Sequence, residues 1–253
     1  MFKGEWDLSR ARGAKAQRRR EQYQAVENTI DFHSAAKLPK RPIDLIPKSR
    51  GQERLVVSLL SDTTDITVAV GPAGTGKTYL AMQAAVKALR AGRVDRLVLT
   101  RPAVGVEDER HGFLPGDLVS KMEPWTRPLL DVLREYYHPR EISRMLDEQT
   151  IEISPLAYMR GRTFKSSWIV ADEMQNATPA QVKMLISRIG QDSRIAITGD
   201  VEQADRQAGD NGLRDLCQRL TDHPIAGIDL VILSARDTQR HPLINSILAL
   251  YQE

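Results

Sequence analysis

The chain is poor in several things that would have pointed elsewhere. It carries one cysteine, Cys217, in 253 residues, and aromatic side chains make up 5%. A lone cysteine closes no intramolecular disulfide, so a disulfide-stapled scaffold is excluded. No apolar run approaches the roughly 18 residues that a membrane-spanning helix requires. The stretch from Met1 to Arg20 is rich in Arg and Lys without an apolar segment behind it, a pattern unlike a secretory leader. These absences lead to the expectation of a cytoplasmic protein with no membrane partner. The hydrophobic fraction of 41% and charged fraction of 27% are those of an ordinary globular chain.

The net charge of +3 is unevenly spread: residues 1–50 hold 12 Lys/Arg against 6 Asp/Glu, leaving 24 against 27 in the rest. The densest stretch, Arg10 to Arg20, makes a basic arm, a footprint of nucleic-acid contact or simply a solvated tail. Pro39, Pro42 and Pro47 follow closely, so residues 1–50 read as arm and lead-in to a body of residues 51–253. In that body, short β-branched runs recur at Ile66–Val70, Leu97–Thr100, Trp168–Ala171, Ile195–Thr198 and Leu230–Leu233. They are apolar without clean alternation, as strands buried on both faces are. Helical patterns fall between them at Gln52–Leu60, Lys77–Arg90, Pro179–Ile189 and Leu213–Leu220. The expected class is α/β: one core with a mostly parallel sheet flanked by helices. Leu213, Leu216, Cys217 and Leu220 share one helical face, which makes Cys217 a small core residue.

Gly71-Pro-Ala-Gly-Thr-Gly-Lys-Thr78 fits the Walker-A pattern between a buried strand and an alanine-rich helix. Its chemistry explains the composition. Gly71, Gly74 and Gly76 let the backbone curl around phosphate, with Pro72, Ala73, Thr75 and Tyr79 completing the nucleotide loop. The helix N-terminus faces the same anion. Lys77 reaches the β- and γ-phosphates and the Thr78 hydroxyl ligates Mg²⁺. A second strand ends in Asp172-Glu173, where Asp172 is expected to hold Mg²⁺ and Glu173 to polarise the attacking water. A third ends in Thr198-Gly-Asp200, with Gln203 expected to sense the γ-phosphate; the alternative is a turn whose Asp200 caps the next helix. The histidines at 33, 111, 138, 223 and 241 have no metal-ligand spacing.

With Thr100-Arg-Pro-Ala103, Gly112-Phe-Leu-Pro-Gly-Asp-Leu118, Met159-Arg-Gly-Arg-Thr163, Asp172-Glu-Met-Gln-Asn176 and Arg240-His-Pro242, these motifs give a chain that resembles the PhoH family from about Pro47 onward. That resemblance implies a single RecA-like P-loop NTPase core related to superfamily-one RNA helicases, in a form without an attached PIN domain. It implies ATP as substrate and Mg²⁺ as cofactor, Gln52 as the adenine reader or else a polar residue at a helix start, Arg101 as a nucleic-acid contact or else the partner of a nearby acid, and Arg240 as the charge-stabilising arginine. With one core, Arg240 is expected to serve a neighbouring subunit, in a head-to-tail homo-oligomer that is hexameric by resemblance. Residues 104–160 are too long for a simple crossover and read as an insertion. In it Trp125, Tyr136, Tyr137 and Tyr158 mix with Arg127, Arg134, Arg140 and Arg160, either to stack on unpaired bases or to pack a core. The functions to separate are an ATPase acting on single-stranded RNA or DNA, with RNA favoured and helicase activity implied, and a nucleotide-switched binding protein without strand movement.

Overall fold

The computed structural model describes residues 42–102, 127–203, 211–239 and 243. All lie within one compact unit, Pro42–Glu253. Its centre is a six-stranded sheet in which every pairing is parallel. The strands are β1 (Ile66–Val70), β2 (Arg96–Thr100), β3 (Ile151–Ile153), β4 (Ser167–Ala171), β5 (Arg194–Gly199) and β6 (Ile228–Ile232), in the spatial order β3-β2-β4-β5-β1-β6. The described helices are α1 (Arg50–Leu60), α2 (Lys77–Arg90), α3 (Pro139–Asp147), α4 (Pro179–Ile186) and α5 (Gly212–Asp222), and residues 127–134 are helical too.

The absence of alternation in the strands now has its cause. Successive side chains of β4 enter opposite layers: Trp168 and Val170 pack with α1, α2 and α3, while Ile169 and Ala171 pack with α4 and α5. β2 does the same, sending Leu97 and Leu99 to the first layer and Val98 to the second. Ala81, Ala84, Ala85 and Ala88 are buried on α2, and their small side chains let that helix lie close over the sheet. Ile43 and Leu45, which the sequence places in the lead-in, are buried in the first layer.

Within 104–160 the structure holds a sixth strand that the sequence reading did not include: α3 packs against β3, and β3 pairs with β2 as the sheet edge. A three-residue strand is too short to show a period, which is why it escaped notice. The third predicted helix, from Pro179, also stops at Ile186 rather than Ile189, since Ile189 forms an isolated parallel bridge with Phe164.

Because the sheet is parallel, every strand delivers its C-terminal residue to the same edge, where α/β folds place their ligands. The loop after β1 is braced there by segments distant in sequence. Gly71 has φ +147°, and a Cβ on it would lie 2.4 Å from the Leu233 carbonyl oxygen, so only glycine fits beneath the segment that follows β6. The Leu233 N–H donates to the Val70 carbonyl at 2.8 Å and the Gln239 N–H to the Gly74 carbonyl at 2.9 Å. Asp237, buried between these points, accepts from Gly51 N at 3.1 Å and Ser234 N at 2.7 Å. Burial pushes the Asp237 carboxyl up, but hydrogen bonds from Ser234, Ser49 and Gly51 outweigh it and hold the group below its ordinary value. Cys217 is half-buried against α4's layer, and burial pushes its thiol up to about 11.

Two outcomes follow from this packing. Asp237→Asn is expected to lose about 1–3 kcal/mol at pH 7, the cost of leaving buried donors poorly satisfied. A depressed carboxyl stabilises the fold in full above its unfolded-chain value and loses that contribution as pH falls through its folded value. Urea titrations should therefore show the gap between wild type and variant closing in acid. Cys217 in the native protein at pH 8 should react with a disulfide reagent at least about tenfold more slowly than in urea, because little of it is thiolate.

Candidate active site

α2 begins at Lys77 with Gly76 as its N-cap, and no side chain caps it. Gly76 has φ +81°, and a Cβ there would sit 3.0 Å from the Gln52 amide nitrogen. The first N–H groups of the helix therefore face the cavity, where an anion is the natural acceptor. Lys77 is buried and folds over the loop, its ammonium donating to the Gly71 carbonyl at 2.5 Å and the Pro72 carbonyl at 2.8 Å. Thr75 closes the loop from inside by donating to the Pro72 carbonyl at 2.8 Å. The cavity at the loop mouth has a volume of about 280 Å³ and is lined by Ala73, Gly74, Gly76, Lys77, Thr78 and Tyr79 on one side and Asp172, Glu173, Gly199, Asp200 and Gln203 on the other.

Strand order explains why those two sides meet. β5 separates β1 from β4, so residues 94 positions apart in sequence face each other across one strand end. The Asp172 carboxylate is 6% exposed, and its Oδ1 accepts from the hydroxyls of Thr78 at 2.7 Å and Thr198 at 2.6 Å. Hard oxygen donors in this arrangement suit Mg²⁺, which takes one or two protein oxygens and completes its octahedron with phosphate and water. Among the described residues no group of three or more His, Cys, Asp or Glu could hold a metal instead.

Glu173 borders the same cavity with its main chain in the left-handed region, φ 54° and ψ 37°, where the chain breaks from β4 into a short 3-10 turn. Its Oε2 accepts from the Gln175 amide at 2.6 Å, and its Oε1 lies 3.7 Å from the Arg101 guanidinium. Asp200 is buried and accepts from Glu202 N at 3.1 Å, while the next described helix is capped by Asn211, and Gln203 lies at the cavity wall.

The remaining sequence candidates divide. Gln52 is buried in the first turn of α1, accepting from Lys48 N at 2.8 Å and donating to the Thr75 carbonyl at 3.0 Å, so its amide ties the loop down. Tyr79 is part-exposed at the cavity rim and donates to Glu135 at 2.9 Å; burial first, then that carboxylate, raises its phenol well above the ordinary value. Tyr136 and Tyr137 are buried in the first core layer under the Arg90 guanidinium, which settles them as packing residues. Tyr158 is 60% exposed in the turn after β3, between buried Leu156 and Met159. Arg160 is exposed beside it, whereas Arg162 pairs with Glu152 and lies over Phe164. Arg240, Trp125 and the motif at 112–118 lie outside the described residues.

Two site residues had no role in the sequence reading. Thr198 shares the Asp172 oxygen with Thr78, and Gln175 bridges Glu173 to the Asp200 N–H, which it accepts at 3.1 Å. Both stand inside motifs that the sequence makes visible, but their partners depend on which strands are neighbours.

The sequence profile of PhoH-like proteins matches residues 44–252. A PhoH-like protein of Synechocystis sp. is 38% identical over 246 residues, covering 97% of this chain and 72% of the relative. One of Bacillus subtilis is 44% identical, covering 81% of this chain and 63% of its own length, and Protein PhoH of Escherichia coli K12 is 36% identical, covering 71% and 51%. The chain thus spans less than two thirds of the last two. Among solved structures, the Pyrococcus furiosus Hef helicase domain aligns with 74% of this chain and 38% of its own at 12% identity, with a TM-score of 0.43. With its loop after β1 and its paired acids two strands away, this RecA-like α/β core is a P-loop NTPase fold, and the chain belongs to the PhoH-like family.

Proposed function

We propose that the protein is a Mg²⁺-dependent ATPase, hydrolysing ATP to ADP and phosphate, and that it works in the cytoplasm on single-stranded nucleic acid, RNA in preference to DNA. The observation that carries this is the convergence of the Thr78 and Thr198 hydroxyls on one buried Asp172 oxygen, at the mouth of an uncapped helix N-terminus. A metal held by Thr78 and Asp172 would neutralise charge on the triphosphate. Loop N–H groups and Lys77 bind the phosphates, the ammonium exchanging loop carbonyls for phosphoryl oxygens. Glu173 accepts a proton from water attacking in line on the γ-phosphorus, and the leaving oxygen departs on ADP. Gln203 orients that water or senses the γ-phosphate. Gln52 reads adenine from its place against the loop, and Tyr79 forms the outer rim.

Nucleic acid belongs at the neighbouring part of the same edge. Arg101 follows β2 and meets Glu173 at the cavity, and Tyr158 with Arg160 follows the neighbouring β3, so a cation and an exposed ring stand farther along the same edge. The basic arm adds attraction of the salt-sensitive kind. Arg240 completes the charge stabilisation from a neighbouring subunit in a head-to-tail ring, a hexamer by family resemblance.

Glu173→Gln is expected to keep nucleotide binding while turnover falls about 10²–10⁴-fold, as loss of a general base does; turnover close to wild type would remove Glu173 from that role. Single-stranded RNA should raise wild-type hydrolysis several-fold, with the effect weakening as salt rises. Hydrolysis indifferent to both RNA and DNA would instead identify a nucleotide-switched binding protein. Arg240→Ala should be inactive alone and regain turnover when mixed with Glu173→Gln subunits; mixtures that stay inactive would exclude action between subunits.

A further inference from the structure

Glu173, the proposed base, has both carboxylate oxygens engaged. Oε2 takes the Gln175 amide at 2.6 Å and Oε1 faces the Arg101 guanidinium at 3.7 Å. The two partners differ in kind. Gln175 is 3% exposed and anchored by the Asp200 N–H, and Gly199 packs so closely that a Cβ there would lie 2.6 Å from the same amide oxygen. It is a fixed prop in the turn after β4, braced against the end of β5. Arg101 and Glu173, by contrast, meet on the open side of the edge, with side chains 23% and 38% exposed.

We propose that this is a parked arrangement of the base, and that the phosphodiester backbone of single-stranded nucleic acid releases it. A carboxylate oxygen turned toward a guanidinium is not turned toward the attacking water, so hydrolysis is slow while the pair is intact. An ion pair at 3.7 Å between partly exposed side chains is weak. A phosphodiester beside the end of β2 offers the guanidinium two acceptor oxygens in a matching fork. Arg101 then moves to the phosphate and Glu173 stays on Gln175 alone, with Oε1 available to water. Arg101 is thus a positioning residue that links strand binding to turnover, and Gln175 keeps the released base in place. The inference rests on the ATPase reading above and adds the route by which nucleic acid controls it.

The test is steady-state ATP hydrolysis by the full chain, with and without a single-stranded oligouridylate or the matching oligodeoxynucleotide. Wild type, Arg101→Ala and Arg101→Lys are compared. Arg101→Ala should raise the nucleic-acid-independent kcat by about two- to fivefold, the factor an exposed ion pair commands. Its KM for ATP should be unchanged and its further stimulation should fall toward one. Arg101→Lys, which keeps the charge, should retain a low basal rate and part of the stimulation. A basal kcat for Arg101→Ala that is equal to or below wild type, beside a wild type that RNA or DNA stimulates, overturns the parking while leaving the ATPase reading intact. A wild type that hydrolyses no ATP under any of these conditions removes both.

Discussion

A carboxylate withdrawn from water needs donors, and Asp172 finds them only where three strands end together. Its Oδ1 takes one hydroxyl from the start of the helix after β1 and one from the end of β5. An unpaired buried charge would be costly, so these contacts fix the relative height of β1, β4 and β5. The rest of the cavity follows from that registration. Glu173 is the next residue along the chain, Asp200 and Gln203 stand two and five residues beyond Thr198, and the uncapped turn of α2 lies opposite.

Much of this was legible beforehand, for physical reasons. Strands buried on both faces leave a continuous β-branched run, and Ile66–Val70 is read that way and found with all five residues buried. The phosphate loop is legible because its glycines answer a backbone need that few other residues meet, as Gly71 and Gly76 show. Asp172 and Glu173 stand out as acids directly after an apolar run. What escaped the sequence depends on neighbours in space. β3 is too short to carry a pattern and is defined by its pairing with β2. Thr198 and Gln175 acquire partners only once β5 is known to lie between β1 and β4. Tyr136 and Tyr137 could be weighed for stacking or packing by composition alone; the core contact that decides between them is a tertiary one.

The edge divides into two regions with different chemistry. Beneath β1, β4 and β5 the groups are backbone N–H, hydroxyl and buried carboxylate, suited to phosphates held away from solvent. Beyond β2 and β3 the side chains are larger and more exposed, and the Met159–Thr163 motif splits between them: Met159 and Arg162 anchor the turn while Arg160 faces outward. Arg101 and Glu173 mark the border, one on each side, which is where a change in either region is felt by the other.

The brace under the phosphate loop also sets a time order. Gly51 and Asp237 are 186 positions apart in the chain, and the carbonyls of Val70 and Gly74 wait for the N–H groups of Leu233 and Gln239. Synthesis runs from the N-terminus, so helix α2 and strands β1 to β5 emerge well before the segment that secures the loop. Until residues 228–239 leave the ribosome, the loop lacks its floor and β1 has an open edge. Competence to bind nucleotide is therefore acquired late, and a nascent chain stalled before that point would carry the whole Walker-A motif without the geometry that makes it work.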